Sequence, residues 1–277
     1  MKKFGLLLLL FSGAGFSSIA QYYYKDILSN NQLMADMASY KLNKVKQINI
    51  KSFEDDGSPS EGFYCQKRFS KDYGKAELFT RSNISGASLL TSTFNNKGQL
   101  LRTHDSSIIA VTTNVYSYDA NGRIASILSV VRSQDDDFTN EIVEEHIYQY
   151  NAQDKPEQMI RVKNRRDSTV ILFAPDEQGN VGIEKDTKSG TKFFYYYDAQ
   201  KRLTDIVQSN DLKTGLVPDY IFEYNNRAGL LSQMTTTEEG GNYYFVWKYT
   251  YDNGLRIKEK CYSKERRLMG TIEYEYK

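Results

Sequence analysis

The side chains best suited to acid–base or metal chemistry are few in this chain of 277 residues. Its two histidines, His104 and His146, lie outside any HExxH or metal-spaced pattern. A lone histidine in a strand-like segment is far more often a surface or packing residue than a ligand or a base. Phosphate-binding, dinucleotide-binding and Gly-x-Ser-x-Gly phrases are absent from the sequence. We therefore predict no catalytic residue, no metal site and no cofactor.

Adjacent carboxylates are the remaining basis for catalysis. They occur as Asp55-Asp56, Asp135-Asp136-Asp137, Glu144-Glu145 and Glu238-Glu239. Glycosidases need two carboxylates about 5 to 10 Å apart across a cleft. Most of these pairs fall in turn-like segments, where a solvated charge is the default. A carbohydrate-active enzyme is therefore the last of three hypotheses for function.

A stripe of aromatic residues is the strongest candidate for a ligand-binding face. It consists of Tyr243, Phe245, Trp247, Tyr249 and Tyr251, which alternate with Tyr244, Val246, Lys248 and Thr250. A period of two places the stripe on one face of a strand. Tyrosine and tryptophan can stack on sugar rings and donate hydrogen bonds, whereas cross-strand packing is the alternative reading. We predict these five residues as ligand-binding residues, with a glycan as the candidate ligand.

The first twenty residues have the features of a signal peptide. Lys2 and Lys3 precede an apolar run, and Ser18-Ile19-Ala20 is a small-x-small cleavage site. The apolar run is too short to span a bilayer comfortably. We predict a signal peptide at 1–20, a mature chain that begins at Gln21, and export to the periplasm, the cell surface or the medium. Residues 21–44 show weak helical spacing and are predicted to form a short helix or a plug.

The overall charge offers little to a charged partner. The chain has 36 basic and 35 acidic residues, for a formal net charge of +1. No strong field is available to bind nucleic acid or an anionic membrane. We predict no nucleic-acid partner and no strong membrane signal after signal cleavage, and we name a polysaccharide or another cell-envelope component as the candidate partner.

The elements that must position these side chains come from a phrase that returns about every 25 residues. Its best copies run from Tyr118 to Ile124, from Tyr197 to Leu203 and from Tyr251 to Ile257. Each copy follows an alternating segment and offers Asp at the start of a turn and Gly where the turn needs a positive φ. Each unit therefore predicts a β-hairpin. Lys155 and Lys201 stand at the place of Gly122, so those two hairpins are predicted to use other loops.

The Tyr-Asp-x-x-Gly-Arg-Leu phrase resembles the YD, or Rhs-like, repeat over roughly residues 50–277. The chain also resembles small exported Bacteroidetes proteins of unknown function that have a porin-like β-barrel fold. The resemblance implies β-hairpin repeats, an envelope location in a Gram-negative bacterium and no catalytic residues to transfer. Residues 45–277 are accordingly predicted to form one YD-like β-repeat domain.

Eight or nine consecutive hairpins predict an all-β antiparallel meander of about 16 to 18 strands. So long a sheet leaves two edges unless it curls, so we predict a closed or nearly closed barrel. Closure would bring Cys65, in an early strand, near Cys261, in a late one. A Cys65–Cys261 disulfide is therefore one prediction, and two separate buried thiols are the alternative.

Three functions remain open from the sequence. The first is an exported, non-enzymatic β-repeat protein with a binding or structural role. The second is an outer-membrane β-barrel, although charged residues such as Arg161 and Lys163 lie within a predicted strand and such charges are unfavourable at the bilayer centre. The third is the carbohydrate-active enzyme.

Overall fold

The computed structural model describes residues 22–135, 141–209, 217–225, 229–238 and 243–277. The predicted signal peptide, Gln21, Asp136, Asp137 and Glu239 lie outside these ranges. Helix α1 is Tyr24–Leu42, and the first nine strands are β1 Gln47–Phe53, β2 Tyr64–Phe69, β3 Lys75–Ser82, β4 Gly86–Phe94, β5 Leu100–Ser107, β6 Ala110–Tyr118, β7 Ile124–Ser133, β8 Glu141–Tyr150 and β9 Pro156–Lys163. The other nine are β10 Asp167–Pro175, β11 Val181–Asp186, β12 Lys192–Tyr197, β13 Leu203–Ser209, β14 Tyr220–Tyr224, β15 Leu231–Thr237, β16 Tyr244–Asp252, β17 Leu255–Ser263 and β18 Leu268–Tyr276.

The strands form one closed antiparallel barrel. Each strand pairs with the next along the chain, from β1 and β2 through to β17 and β18. Ile50 of β1 closes the ring, because it lies opposite Cys65 of β2 on one side and opposite Tyr274 of β18 on the other. The predicted meander is confirmed, with 18 strands in the described part of the chain. Closure leaves no unpaired sheet edge.

The barrel interior is lined by apolar and aromatic side chains. Along β1, for example, Ile48, Ile50 and Ser52 are buried while the residues between them are more exposed. Buried apolar residues of the described chain form three clusters. The first contains Tyr23, Ile124, Ile127, Tyr148, Met159, Ile171, Phe173, Val181, Phe193, Tyr195 and Ile206; the second Val45, Ile48, Ile50, Cys65, Trp247, Cys261 and Ile272; the third Met37, Ala76, Phe94 and Leu100.

Helix α1 lies across the interior of the barrel. At its C-terminal end the Tyr40 ring packs 5.2 Å from that of Phe69 in β2 and 6.3 Å from that of Tyr276 in β18. At its N-terminal end the Tyr24 ring lies 5.3 Å from that of Tyr195 in β12. Since these strands occupy different arcs of a closed ring, a helix that contacts all of them must lie inside it. No helix among the described residues is long and apolar enough to cross a membrane.

The hairpin turns explain why the repeated phrase begins with Asp or Asn. Asp119 Oδ1 accepts the backbone N–H groups of Asn121 and Arg123, and Asp119 Oδ2 accepts from Arg123 Nε at 2.7 Å. The same two backbone bonds are made by Asn95, Asn151, Asp176 and Asp198. One side chain thus satisfies two N–H groups that the turn would otherwise leave open.

The prediction of different loops without glycine was wrong. Lys201 adopts φ 60°, where Gly122 has φ 79°, and both turns make the same backbone bonds. In the other hairpin Asp154, and not Lys155, occupies the corresponding position, with φ 61°. The side-chain bonds from the first turn residue hold the shared five-residue loop even where a residue with a Cβ must take a positive φ.

In five units of the described chain, a tyrosine at the end of a strand connects one hairpin to the previous one. Its hydroxyl donates to the backbone carbonyl of the first or second residue of the strand that precedes its own: Tyr118 to Leu100, Tyr150 to Ile124, Tyr197 to Val181, Tyr224 to Leu203 and Tyr276 to Arg256, at 2.6 to 2.9 Å. The repeated tyrosine therefore couples neighbouring units at one end of the barrel, which explains its recurrence at the period of the hairpins.

Candidate functional site

The predicted aromatic ligand face lies mostly inside the barrel. Trp247 is only 9% exposed and packs in the second cluster, with Phe245 and Tyr249 against it. Tyr251 is partly buried, and the Arg256 guanidinium lies 5.8 Å from its ring centroid. Only Tyr243, at 60% exposure, is open to solvent. The structure therefore does not bring these five residues together as a surface platform, and Tyr243 is the member that a ligand outside the barrel could reach.

The residues that alternate with the stripe face outwards instead. Tyr244 begins β16, and Val246 of the same strand lies opposite Tyr262 of β17. The Lys248 ammonium group lies 5.7 Å from the Tyr262 ring centroid. The outer surface beside Tyr243 is thus formed by Tyr244 and Tyr262. The alternation identified the strand, but aromatic content alone did not show which of its two faces was outside.

The predicted disulfide is not formed, because Cys65 and Cys261 are two free, buried thiols. Strands β18 and β1 lie between β17 and β2. Three strand spacings of about 4.8 Å exceed the Cα separation of about 7 Å that a disulfide allows. Closure does bring both cysteines into the second apolar cluster, and burial raises the pKa of both thiols, that of Cys261 to about 12.

The two histidines differ in their surroundings. His104 lies on the outer face of β5, where its Nδ1 is 3.0 Å from Thr113 Oγ1. It borders a shallow depression with Arg102, Thr91 and Thr93. His146 is buried in β8 beneath the start of helix α1. The buried histidine is part of a group of titratable side chains at the start of the helix, which we call the helix-docking cluster.

The helix-docking cluster consists of the groups that bind the first turn of helix α1 and the charged residues around them: Tyr23, Lys25, Asp26, Glu144, His146, Tyr148, Arg161, Lys163, Glu184, Asp186 and Tyr195. Tyr23 directly precedes the helix, Lys25 and Asp26 lie in it, and the others come from four strands, β8, β9, β11 and β12. The strand residues share the inner face of the wall, with Lys163 exposed at the end of β9. The cluster therefore lies where the helix and the wall meet.

Glu184 caps the helix from the barrel wall. Its Oε1 accepts the backbone N–H of Tyr23 at 2.8 Å, and its Oε2 accepts the N–H of Tyr24 at 2.9 Å and the hydroxyl of Tyr195 at 2.8 Å. Tyr23, the residue before the helix, makes no capping bond through its own side chain. A carboxylate at this end also matches the positive end of the helix dipole. Burial raises the pKa of Glu184 to about 7, against the lowering effect of its three donors.

His146 connects a helix carboxylate to a wall carboxylate. Its Nδ1 lies 2.6 Å from Asp26 Oδ2, and its Nε2 lies 2.9 Å from Glu144 Oε1. Burial alone would lower the pKa of His146, but the carboxylates of Asp26 and Glu144 raise it to about 9. Both ring nitrogens can donate only in the protonated form. The geometry therefore fits an imidazolium between two carboxylates.

Two further side chains complete the contact with the first turn. The Tyr148 hydroxyl lies 2.8 Å from Asp26 Oδ2 and 3.0 Å from the Tyr23 carbonyl oxygen, and can donate to either. Arg161 donates from Nη1 to the Tyr23 hydroxyl, and its guanidinium lies over the Tyr23 ring at 5.7 Å. Arg161 Nε is buried and has no hydrogen-bond partner among the described residues.

The chemistry that this arrangement supports is binding of the chain's own helix. Its carboxylates and hydroxyls are occupied by N–H, imidazole and phenol groups of the same chain. Sequence reasoning missed it because Asp26 and His146 are 120 residues apart, and Tyr23 and Glu184 are 161 apart. The only local signal was Glu144 two positions before His146, on the same face of a strand.

Structural comparison finds solved structures that match most of this chain at low similarity. A porin-like protein from Bacteroides uniformis matches with a TM-score of 0.40 and 13% identity over 84% of this chain and 96% of that chain. One from Bacteroides vulgatus matches with a TM-score of 0.31 and 13% identity over 84% and 98%. A TcdB2-TccC3 toxin chain matches with a TM-score of 0.23 and 12% identity over 86% of this chain and 17% of its own. No protein-family model and no curated sequence matches the chain.

Proposed function

We propose that this chain is an exported, non-enzymatic β-barrel protein of a Gram-negative cell envelope, with a binding or structural role in the periplasm or at the cell surface. In this proposal residues 1–20 are a cleaved signal peptide, residues 21–44 form a plug built around helix α1, and residues 45–277 are a barrel of YD-like repeats. The observation that supports it best is the distribution of polarity between the two faces of the barrel wall.

The polarity of the wall suits a barrel in water. On the inner face of β1 and β18, Ile48, Ile50 and Ile272 are buried. On the outer face of the same region, Lys51 pairs with Glu275 at 3.4 Å, and Lys258 of β17 pairs with Glu273 at 2.9 Å. These charged residues lie in the middle part of their strands, and apolar residues such as Leu172 are also found on the outer face elsewhere.

The charged outer face differs from that of an outer-membrane barrel. There the outer face is an apolar band about 25 Å tall. Moving one lysine on that face to the bilayer midplane costs about 2–4 kcal/mol. Strands β1 and β17 would carry Lys51, Lys258 and Lys260 into such a band. Release of the protein from membranes into buffer by a carbonate wash supports the proposal, and retention that only detergent overcomes would favour the membrane barrel.

A glycan is the ligand class that we propose for the outer surface. Tyr243 is exposed just before β16, and Tyr244 and Tyr262 lie on the outer face of β16 and β17. Phenol rings can stack on sugars, and their hydroxyls can donate to them. Lys248 next to Tyr262 would add a cation for an acidic sugar.

Binding to an array of bacterial polysaccharide fragments tests this proposal. We expect Tyr262→Ala and Tyr243→Ala each to weaken a positive signal at least tenfold. Tyr196→Ala, a change of an exposed tyrosine on β12, is the matched control and should leave binding unchanged. Absence of binding across the array would leave only the structural role, and hydrolysis of the fragments by the purified protein would overturn the non-enzymatic assignment.

A further inference from the structure

We propose that His146 places the docking of helix α1 under proton control: the helix lies across the barrel while the imidazole carries a proton on both ring nitrogens, and its first turns detach when one of these protons is lost. The inference rests on the plug role proposed above and goes beyond it by naming what would move the plug. Its test measures the position of the helix and not ligand binding, so its failure can be told apart from that of the proposed function.

Two wall residues, Glu184 and His146, bind polar groups of the first turn, whose tyrosines also pack in the first apolar cluster. Glu184 holds the N–H groups of Tyr23 and Tyr24, and His146 holds the Asp26 carboxylate. The Tyr148 hydroxyl joins the two contacts, because it lies within hydrogen-bonding distance of both Asp26 and the Tyr23 carbonyl oxygen. A change in protonation at His146 therefore acts on the turn that Glu184 caps.

The charged groups around the first turn form a nearly balanced set. The acids are Asp26, Glu144, Glu184 and Asp186, and the bases are Lys25, His146, Arg161 and Lys163. With Glu184 ionised and a proton on His146, four cations face four carboxylates. Once His146 is neutral, three cations face the same four carboxylates, and the repulsion among the buried ones is weakly screened.

Loss of the proton from His146 breaks one of its two contacts. Neutral His146 has one ring nitrogen that can no longer donate, so either Asp26 or Glu144 faces a lone pair. The carboxylates of Asp26 and Glu144 raise the pKa of His146 to about 9. The helix is therefore expected to detach on the alkaline side of neutrality.

The rest of the helix provides a point about which the first turns can move. Val45, just after the helix, is buried in the second apolar cluster, and its N–H donates to the Tyr40 carbonyl at 2.9 Å. The Tyr40 ring is held between Phe69 and Tyr276. The C-terminal end therefore stays in place while the N-terminal half, which includes the 3.1 Å contact between Asn30 and the Tyr118 hydroxyl, swings away.

Hydrogen–deuterium exchange of the mature full-length protein tests the inference. Exchange is followed by mass spectrometry at pH 6.5 and pH 9.5 and corrected for the intrinsic base-catalysed rate. We expect the protection of amides in residues 24–34 to fall at least tenfold between the two pH values. Peptides from strands β9 and β10 (156–175), which lie in the wall beneath the helix, should keep their protection.

Variants separate proton control from general loosening. His146→Gln should give low helix protection at both pH values. The matched controls are His104→Gln, at the other histidine, and Glu145→Gln, on the outer face of β8. Both should show the wild-type helix protection at each pH. Equal helix protection at both pH values, a parallel loss in the strands, or a wild-type profile in His146→Gln would each overturn the inference.

Discussion

Individual side chains stabilise the hairpin turns even where the sequence departs from the repeated phrase. Lys201 holds φ 60° in a turn of the same form as that of Gly122. A residue with a Cβ at a positive φ costs roughly 1 kcal/mol relative to glycine. The Asp198 carboxylate offsets that cost by accepting the N–H groups of Gln200 and Arg202. This local strain makes Lys201 a site where substitution should raise stability.

Lys201→Gly is expected to raise the free energy of unfolding by a few tenths of a kcal/mol to about 1 kcal/mol. The gain comes from removal of the steric penalty, and the exposed Lys201 ammonium makes only a 3.4 Å contact with the Gln178 carbonyl. Urea denaturation monitored by fluorescence would measure it. Lys201→Ala, which keeps the Cβ, should give no gain, and Gly122→Ala should lose about 1 kcal/mol. A gain in Lys201→Ala equal to that of glycine would contradict the role of φ.

The pH dependence of unfolding follows from the same two wall residues that bind the helix. The pKa of Glu184 is raised to about 7 from 4.5, and that of His146 to about 9 from 6.5. A pKa raised in the folded state means that folding favours the proton, so stability is complete below the ordinary pKa and is lost as the pH rises through the raised one. The free energy of unfolding is therefore expected to fall between pH 5 and pH 10, by on the order of a few kcal/mol.

Denaturation midpoints of wild type and Glu184→Gln at pH 5, 7 and 9 would check this. The variant should lose the part of the decline between pH 5 and 7, because its amide does not titrate. Glu145→Gln, whose side chain faces outwards, should follow the wild type. A wild-type midpoint that rises with pH over this range would show the opposite sign and contradict the assignment.

At the scale of elements, strands and hairpins could be predicted from sequence because their signals are local. Alternation along β16 and the Asp-to-Gly turn after Tyr118 both lie within a few residues. The helix-docking cluster could not be predicted, because it joins Asp26 and Tyr23 to strands more than a hundred residues away. The orientation of the aromatic stripe also needed the closed barrel, which decides which face of each strand lies inside.

Tyr150→Phe is expected to show that the repeated tyrosine couples neighbouring hairpins. The change removes the bond from its hydroxyl to the Ile124 carbonyl at 2.9 Å, while the ring under the Arg123 guanidinium at 4.2 Å is kept. The expected loss is about 0.5–1.5 kcal/mol of unfolding free energy, measured by urea denaturation.

Two comparisons make that measurement specific. Tyr150→Leu removes the ring as well and should lose more than Tyr150→Phe. Tyr196→Phe, at an outward-facing tyrosine with 49% exposure, should stay within about 0.5 kcal/mol of the wild type. Equal losses in Tyr150→Phe and Tyr196→Phe would mean that the hydroxyl bond contributes nothing particular to the repeat.

For the whole molecule, the count of hairpins predicted a closed sheet but could not say which residues meet at the seam. The pairing of β1 with β18 answers this: Asn49 lies opposite Glu275, and Lys51 opposite Glu273. The two native cysteines are separated by these two strands, so closure placed them near each other in the core without bonding them. A disulfide should instead form between residues that face each other directly across the seam.

Asn49→Cys combined with Glu275→Cys is expected to form a seam disulfide in the oxidised protein. Opposite residues of this type have Cα atoms about 5.5 Å apart, which suits disulfide geometry, and both positions lie on the outer face. The bond would close a loop of more than 200 residues and raise the unfolding free energy by roughly 2–4 kcal/mol. The native thiols are buried, and their raised pKa values make them slow to compete. Thiol titration and thermal unfolding with and without reductant would measure the result.

The matched control combines Glu275→Cys with Gln158→Cys, where Gln158 lies on the outer face of β9. This pair should remain reduced. In an open sheet β1 and β18, which are far apart in sequence, would not meet, so the seam pair would also stay reduced. That result would contradict the closed barrel and favour a curled sheet with two free edges.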